Sequence, residues 1–148
     1  MTISAALASW LSYYEAMEVD TNHITDGSDK YGLFKSPNRT TKEFNNGTYE
    51  ITEFYQFFAR QASVSETDRK DADEWLEDLA YWADDFPFLY DYPALNGGRK
   101  IDKIALTGAP YPMETGSGDT LFQMSLAVTY TREREEWENG RTYKIKEV

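Results

Sequence analysis

The side chains of this chain do not form the combinations of nucleophile, base or metal ligand that catalysis needs. His23 is the single histidine, it lies in a polar stretch, and the chain has no cysteine. One imidazole without thiolates cannot build a multi-histidine or cysteine metal site, and His23 has no adjacent Ser or Cys nucleophile to activate. Asp84 and Asp85 are neighbouring carboxylates, but adjacent residues of a helix point about 100° apart and do not share a site. We therefore predict that the protein is not an enzyme and expect no cofactor and no resident metal ion.

Two glycine-rich stretches and one acidic stretch match binding loops only in part. Gly97-Gly98 and the stretch 116–118 lack the Lys-Ser/Thr ending of a phosphate loop and the strand-to-helix context of a dinucleotide fold. The acidic stretch from Asp20 to Asp29 has the composition of a calcium loop, but Ile24 stands where a ligand is needed and no glutamate closes the spacing. We interpret these segments as hinges and an exposed turn, and adventitious cation binding at the acidic stretch stays open.

Composition indicates one folded domain with an acidic surface. The chain has 148 residues, a formal net charge of −11, and 11 Tyr, 8 Phe and 4 Trp. That aromatic content is typical of a packed core and not of a disordered acidic tail. Net negative charge opposes non-specific binding to nucleic acid, which depends on Lys and Arg. No apolar run approaches the roughly 18 to 20 residues that span a bilayer, so we expect a soluble, cytosolic product without membrane contact.

Two segments show the alternation of apolar and polar residues that is typical of strands. From Leu121 to Thr131 the pattern is strict, with one apolar face. From Tyr49 to Gln61 the pattern departs from this rule, because Phe54 and Phe58 lie on the opposite face from Tyr55 and Phe57. Both faces of this strand are therefore aromatic in its second half. The second face needs a cover, which is either a helix of the same chain or another protein.

Two segments have the three-four apolar spacing of amphipathic helices. The first begins after the N-cap candidate Thr2 and continues to about Glu18. The second begins after Ser65 and continues from Glu66 to about Asp85, where Phe86-Pro87 is expected to end it. Its outer face carries mostly acidic side chains.

The strands complete the predicted architecture. Asn46-Gly47 predicts a tight hairpin between the segments 39–44 and 48–62. Further strands are expected at 31–35, where Ser36-Pro37 stops the strand, and at 100–107, followed by a flexible loop at 108–119. The order of elements predicts an α+β domain with an antiparallel or mixed sheet of about four to five strands and two main helices packed on one face.

Several of these segments together resemble a known protein family. They are the first helix, the stretch Tyr31-Gly32-Leu33-Phe34-Lys35-Ser36-Pro37, the Asn46-Gly47 turn with the strand 49–61, the helix with Trp75-Leu76, and the strand 124–130. In their order along the chain and in their local sequence, these segments resemble the minor capsid or tail terminator proteins of long-tailed phages. The likeness covers residues 3 to 133. The domain is accordingly placed at 1–133, followed by a charged C-terminal tail or arm at 134–148.

The resemblance implies a structural role in a virion. Proteins of this family form a ring, commonly a hexamer, that caps the tail tube and joins tail to head. The resemblance also implies contacts with further copies of the chain, with the major tail tube protein and with head-completion or connector proteins. DNA would pass through the channel without specific binding. The expected location is the tail or neck of the virion, after assembly in the host cytoplasm.

The predicted site is an interaction surface. A subunit contact is expected at Phe54, Gln56, Phe58 and Arg60, and an adaptable docking loop is expected at Gly116, Ser117, Gly118 and Asp119. Two other functions stay open at this point. One is a head-completion or neck protein of the same virion, and the other is a small acidic protein that mimics DNA and binds a basic partner as a monomer.

Overall fold

The chain folds into two helices packed against one sheet. The computed structural model describes residues 1–116 and 118–136, so Ser117 and residues 137–148 of the predicted arm lie outside the described residues. Within these ranges the helices are α1 (Ile3–Tyr14) and α2 (Glu66–Leu89), and the strands are β1 (Val19–Thr21), β2 (Lys30–Glu43), β3 (Thr48–Ala62), β4 (Arg99–Thr115) and β5 (Asp119–Glu133).

The sheet is mixed and its strand order is β1-β2-β3-β5-β4. The short pair β1 and β2 is parallel, and the other neighbours are antiparallel. The helix α2 carries the chain from β3 to the far edge, where β4 begins, and β5 then fills the place between them. The predicted α+β fold with two helices packed on the sheet is confirmed.

Both helices begin where their capping residues predict. The Oγ1 atom of Thr2 accepts a hydrogen bond from the Ala5 amide at 3.1 Å, and Ser65 and Asp68 form a reciprocal capping box before α2. The predicted end of α2 at Asp85 is wrong, since the helix continues through Pro87 to Leu89. Pro87 lies in the last turn, where its missing amide removes one donor, and the Tyr90 amide still donates to the Phe86 carbonyl at 2.9 Å. Neither described helix is apolar over a length that would cross a bilayer.

The core lies between the helices and one face of the sheet, which we call the covered face. Trp10 of α1 packs on Trp82 and Phe86 of α2, with ring centroids 4.7 and 5.8 Å apart. Beneath them lie alternate residues of the central strands, all of them buried: Ile51, Tyr55, Phe57, Ala59, Met124, Leu126, Val128 and Tyr130. Because side chains of a strand alternate in direction, the intervening residues point to the opposite face, which we call the open face.

The strands are longer than their prolines suggested. The strand β2 continues past Pro37 by way of an irregularity between Lys35 and Arg39, and β4 continues through Pro110 and Pro112 to Thr115. Proline is tolerated at these places because one lies at a break in the ladder and the others lie in the edge strand β4. The predicted flexible loop at 108–119 is therefore wrong over most of its length, and the strand β1 was missed.

The predicted hairpin between β2 and β3 is confirmed, with a different turn. The Phe44 amide donates to the Thr48 carbonyl at 2.9 Å, and the Gly47 amide donates to the Phe44 carbonyl at 3.2 Å. Gly47 has a φ of 84°, so it takes the left-handed position after the turn. The connection is thus a three-residue loop with a glycine bulge and not the two-residue turn that Asn46-Gly47 suggested.

Candidate subunit interface

The four β3 residues predicted as a subunit contact project from the open face of the sheet. Their register places Phe54 opposite Ala127 of β5, Gln56 opposite Ser125 and Phe58 opposite Gln123. The central residues of the open face are Phe34, Thr52, Phe54, Gln56, Phe58, Ser125, Ala127 and Thr129. Phe54 and Phe58 thus stand on either side of Gln56, next to the small side chains of Ser125 and Ala127 on β5, and none of these eight central side chains is charged.

Side chains of the open face pack loosely on one another. The rings of Phe34 and Phe58 meet edge to face with centroids 5.1 Å apart, and the hydroxyls of Thr52 and Thr129 lie 3.0 Å apart. Phe34, Phe54 and Phe58 are half-buried, whereas Gln56 is exposed. Both helices lie on the covered face, so these rings retain apolar surface that water contacts in the single subunit.

The segment before β2 covers one end of the open face. A Cβ atom on Gly32 would lie only 2.4 Å from the His23 carbonyl oxygen, so glycine alone allows this segment to cross the strand so closely. The Asp29 amide donates to the Arg60 carbonyl at 2.8 Å and fixes the end of the segment to β3. The His23 side chain is exposed. The uncovered part of the open face is therefore its centre, around Phe54 and Gln56.

Arg60 is held by carboxylates of its own chain. Its side chain is 21% exposed, and its guanidinium lies 3.7 Å from the Asp26 carboxylate and 4.0 Å from the Asp119 carboxylate. Its Nε atom is buried and has no hydrogen-bond partner among the residues that the structure describes. Arg60 and Asp119, which the sequence placed in separate parts of the site, are thus brought together. Their contact ties β3 to the start of β5.

The predicted docking loop is a short turn between β4 and β5. The Gly116 amide donates to the Asp119 carbonyl at 2.8 Å, and the Gly118 carbonyl accepts from the Ser63 amide at 3.3 Å. Ser117 lies outside the described residues. The turn therefore stands at the end of the sheet where Arg60 lies, beside the open face and not within it.

A buried carboxylate on the covered face is the feature that sequence reasoning missed. Glu53 is 4% exposed, and its carboxylate accepts hydrogen bonds from the Tyr130 hydroxyl and, at 3.3 Å, from the Tyr55 hydroxyl. The Lys35 ammonium lies 2.8 Å from the same carboxylate and closes the cluster toward solvent. The alternation could have revealed it, because Glu53 stands between Ile51 and Tyr55 on one face of β3.

The electrostatics of this cluster indicate a structural tie. Burial by itself would raise the pKa of Glu53, but the hydrogen bonds from Lys35 and Tyr130 outweigh it, so the pKa lies below its usual range. Burial and the neighbouring carboxylate raise the pKa of Tyr130, and the bond to Glu53 raises the pKa of Lys35. Glu53 is thus anionic and its partners are protonated near neutral pH. General acid–base catalysis needs a pKa near the working pH, which these groups lack.

The comparisons with known proteins assign no family. No model of a known protein family matches the chain. No curated protein is significantly similar to it. Among residues 1–116 and 118–136, no group of three or more His, Asp or Glu side chains is placed to hold a metal ion. The open face, the net charge and the order of elements are therefore the features of the molecule that bear on its function.

Proposed function

We propose that this protein is a structural virion subunit, a tail terminator that forms a ring at the end of the phage tail tube and joins tail to head. The observation that carries the proposal is the open face, which both helices leave uncovered while it presents aromatic and small side chains. The order of elements over residues 3 to 133, which resembles the tail terminator family, supports it as well.

The centre of the open face has a composition that is common at the centres of subunit contacts. Interface centres are depleted in charge and enriched in aromatic residues, and Phe54 and Phe58 around Ser125 and Ala127 fit that description. Burying the remaining apolar surface of these rings would contribute about 25 cal/mol for each Å² removed from water. A neighbouring copy can thus supply the cover that the subunit does not provide for itself.

The acidic surface fits a subunit through which DNA passes. With a net charge of −11 and exposed carboxylates along α2, the subunit repels a polyanion. In a ring whose channel is lined by such residues, like-charge repulsion would keep the duplex from adhering to the wall. The proposal therefore includes passage of DNA without specific binding.

Sedimentation velocity of the purified full chain, alone and mixed with purified tail tubes, tests the proposed function. A ring-sized species alone or co-sedimentation with the tubes is the expected result. A chain that stays monomeric at high concentration and joins neither tubes nor head connectors would contradict it. Binding to connectors without binding to tubes would instead favour the neck-protein alternative.

Matched phenylalanine substitutions locate the contact. Phe54→Ser on the open face is expected to abolish ring formation while the monomer stays folded, because the Phe54 ring is only partly buried and lies on the face that both helices leave uncovered. Phe88→Ser is the control, since Phe88 at the end of α2 is 86% exposed and lies away from the open face. Loss of assembly by the control variant alone would place the contact at the helices and refute this part of the proposal.

The DNA-mimic alternative has one supporting observation, the row of exposed carboxylates on α2. Its members are Glu66, Asp71, Asp73, Glu74, Glu77, Asp78, Asp84 and Asp85. This alternative predicts a stable monomer that competes with DNA for a basic protein. The same sedimentation experiment separates it from the tail terminator, because only the latter forms rings.

A further inference from the structure

A groove with an apolar floor and an acidic rim lies between α2 and the end of β4. Its volume is about 290 Å³, its floor includes Leu76, Pro110, Pro112 and Phe122, and its rim carries Asp73 and Glu77. Phe122 follows the apolar alternation of β5 yet is only half-buried, and it lines this groove beside α2. The groove therefore offers apolar contacts beside two carboxylates.

The two rim carboxylates are regularly spaced and available. Asp73 and Glu77 lie four residues apart on α2, which separates them by about 6 Å along the helix axis. Both are exposed, and in the part of the chain that the structure describes neither lies within 4.0 Å of a Lys or Arg side chain. Glu77 accepts a hydrogen bond from the Tyr81 hydroxyl at 3.0 Å, which orients its carboxylate along the rim.

One segment of the chain has the complementary pattern. In residues 141–146, Tyr143 and Ile145 alternate with Lys144 and Lys146, and the segment 137–148 has more cations than carboxylates although the whole chain is strongly acidic. In an extended backbone the two lysines would be about 6.6 Å apart and opposite in direction to the two apolar side chains. This spacing matches that of Asp73 and Glu77.

We propose that residues 141–146 of one copy bind in the groove of a neighbouring copy, with Tyr143 and Ile145 on the floor and Lys144 and Lys146 paired with Asp73 and Glu77. The proposal rests on the self-assembly argued above and adds a second contact to it. The arm then links neighbouring subunits in addition to the contact at the open face.

The reach of the chain favours a neighbour's groove over the arm's own. Arg134 is fastened at the far end of β5, where its amide donates to the Gly47 carbonyl at 2.8 Å and its guanidinium lies 2.8 Å from Glu43. At roughly 3.3 Å per residue, about 40 Å of β5 separates Arg134 from Phe122. Tyr143 follows Arg134 by nine residues, which span at most about 32 Å when fully extended. Even with the length of its side chain, the Tyr143 ring meets the groove of the same subunit only when every residue of the arm is fully extended, so binding in its own groove requires a stretched arm.

Binding of a labelled peptide tests the groove without requiring assembly. A fluorescent peptide of residues 137–148 is titrated into the full chain and followed by anisotropy. Saturable binding is expected, together with a roughly tenfold or greater loss in the variant Asp73→Lys/Glu77→Lys. The control is Glu74→Lys/Asp78→Lys, which has the same change in net charge and the same spacing on the neighbouring face of α2. Equal losses in both variants, or no saturable binding to the unmodified chain, would overturn the proposal.

Mixing of two variants tests the exchange between copies. Asp73→Lys/Glu77→Lys removes the groove, and Tyr143→Ser/Ile145→Ser removes the apolar anchors of the arm. Each variant alone is expected to associate roughly tenfold more weakly than the unmodified chain, and their mixture should regain association, because one intact arm then meets one intact groove. Two results would contradict binding of one copy's arm in another copy's groove. One is a mixture that associates no more strongly than either variant alone, and the other is a variant that associates as strongly as the unmodified chain.

The outcomes separate this inference from the proposed function. If the chain forms rings and both variants form them equally well, the arm contact is refuted while the proposed function stands. If the unmodified chain associates through arm and groove, as the two variants and the peptide report, but forms no ring and does not join tail tubes or connectors, the proposed function fails and the arm contact stands.

Discussion

Successive residues of the central strands alternate between the two faces of the sheet, and the two faces differ in what covers them. On the covered face, large apolar side chains such as Leu126 and Tyr55 are fully enclosed by the helices, and the polar exception Glu53 is satisfied by three donors. On the open face, Phe54 and Phe58 are half-buried, Gln56 between them is exposed, and the small residues Ser125 and Ala127 lie beside them on β5. The first face builds the subunit, whereas the second has apolar surface still to bury.

This difference between the faces predicts whether a substitution changes the stability of the subunit or the assembly of copies. A change on the covered face removes contacts that hold one subunit together, so it should lower the free energy of unfolding. A change on the open face removes contacts that form only between copies, so it should weaken assembly and leave the subunit stable. The following variants compare the two faces at matched positions.

The largest effect is expected at Leu126, which is 0% exposed on the covered face. Leu126→Ala should lower the free energy of unfolding by about 2–5 kcal/mol, because it leaves a cavity beneath the helices. Its neighbour on the open face provides the control, and Ser125→Ala should change the stability by less than about 0.5 kcal/mol. Urea denaturation of both variants measures the contrast, and similar losses would show that the faces are not distinct.

The buried carboxylate should have the next largest effect. Glu53→Gln weakens hydrogen bonds to an anion and should cost about 1.5–3 kcal/mol at neutral pH. The pKa of Glu53 is lowered by folding, so the charged form stabilises the fold above the pKa of an unfolded glutamate, about 4.3, and this stabilisation is lost as pH falls through the folded-state pKa.

The pH dependence of that variant sharpens the test. Denaturation curves from pH 7 down to pH 3 should show a difference between the unmodified chain and Glu53→Gln that is constant above about pH 5 and shrinks below about pH 4. A difference that persists undiminished at low pH would mean that the cluster acts through packing and not through charge.

Disturbing the close packing at the end of the open face should lower the free energy of unfolding by less than the change at Glu53. Gly32→Ala places a methyl group against the His23 carbonyl oxygen and the Ile24 Cβ, so the covering segment must move, at about 1–3 kcal/mol. Gly108→Ala is the control on the same face, since its Cβ would lie 3.5 Å from Ser125, an ordinary contact. Thermal melting should therefore separate the two variants. Equal melting temperatures would contradict the conclusion that position 32 needs glycine because the His23 carbonyl oxygen lies so close.

The smallest effect is expected for the hydroxyl pair between β3 and β5 on the open face. Thr52→Val removes the contact to the Thr129 hydroxyl at 3.0 Å, and since both groups are only partly buried the loss should be about 0.5–1 kcal/mol. This pair and the Tyr130–Glu53 pair join the same two strands on opposite faces. A loss at Thr52 as large as that at Glu53 would contradict the distinction between the faces.

Much of the fold was predictable because it depends on local pattern. Caps at Thr2 and Ser65, helical spacing and strict alternation in β5 each need only neighbouring residues to be recognised. The open face was also predictable, since Phe54 and Phe58 lie on the opposite parity from Tyr55 and Phe57. What alternation cannot supply is the identity of the neighbouring strand, so the short parallel strand β1 was missed.

The remaining differences arise from tertiary context. Pro37 and Pro87 were taken as ends of elements and Pro110 as part of a loop, yet each lies where a missing amide is tolerated, at a break in the ladder, in a last helical turn or in an edge strand. Arg60 was expected to face a partner, and its engagement with Asp119 depends on a turn that brings distant segments together. The alternation of β3 alone indicates that Glu53 is buried, but its partners Lys35 and Tyr130 and the groove beside Phe122 depend on neighbouring elements.

Hydroxyl-radical footprinting of the free and the assembled chain tests most directly whether the open face is where copies meet. Labelling of Phe54 and Phe58 is predicted to fall on assembly, while labelling of Phe88 and Leu89, which are exposed at the end of α2, stays unchanged. Protection of Phe88 and Leu89 with unchanged labelling of Phe54 and Phe58 would contradict the account.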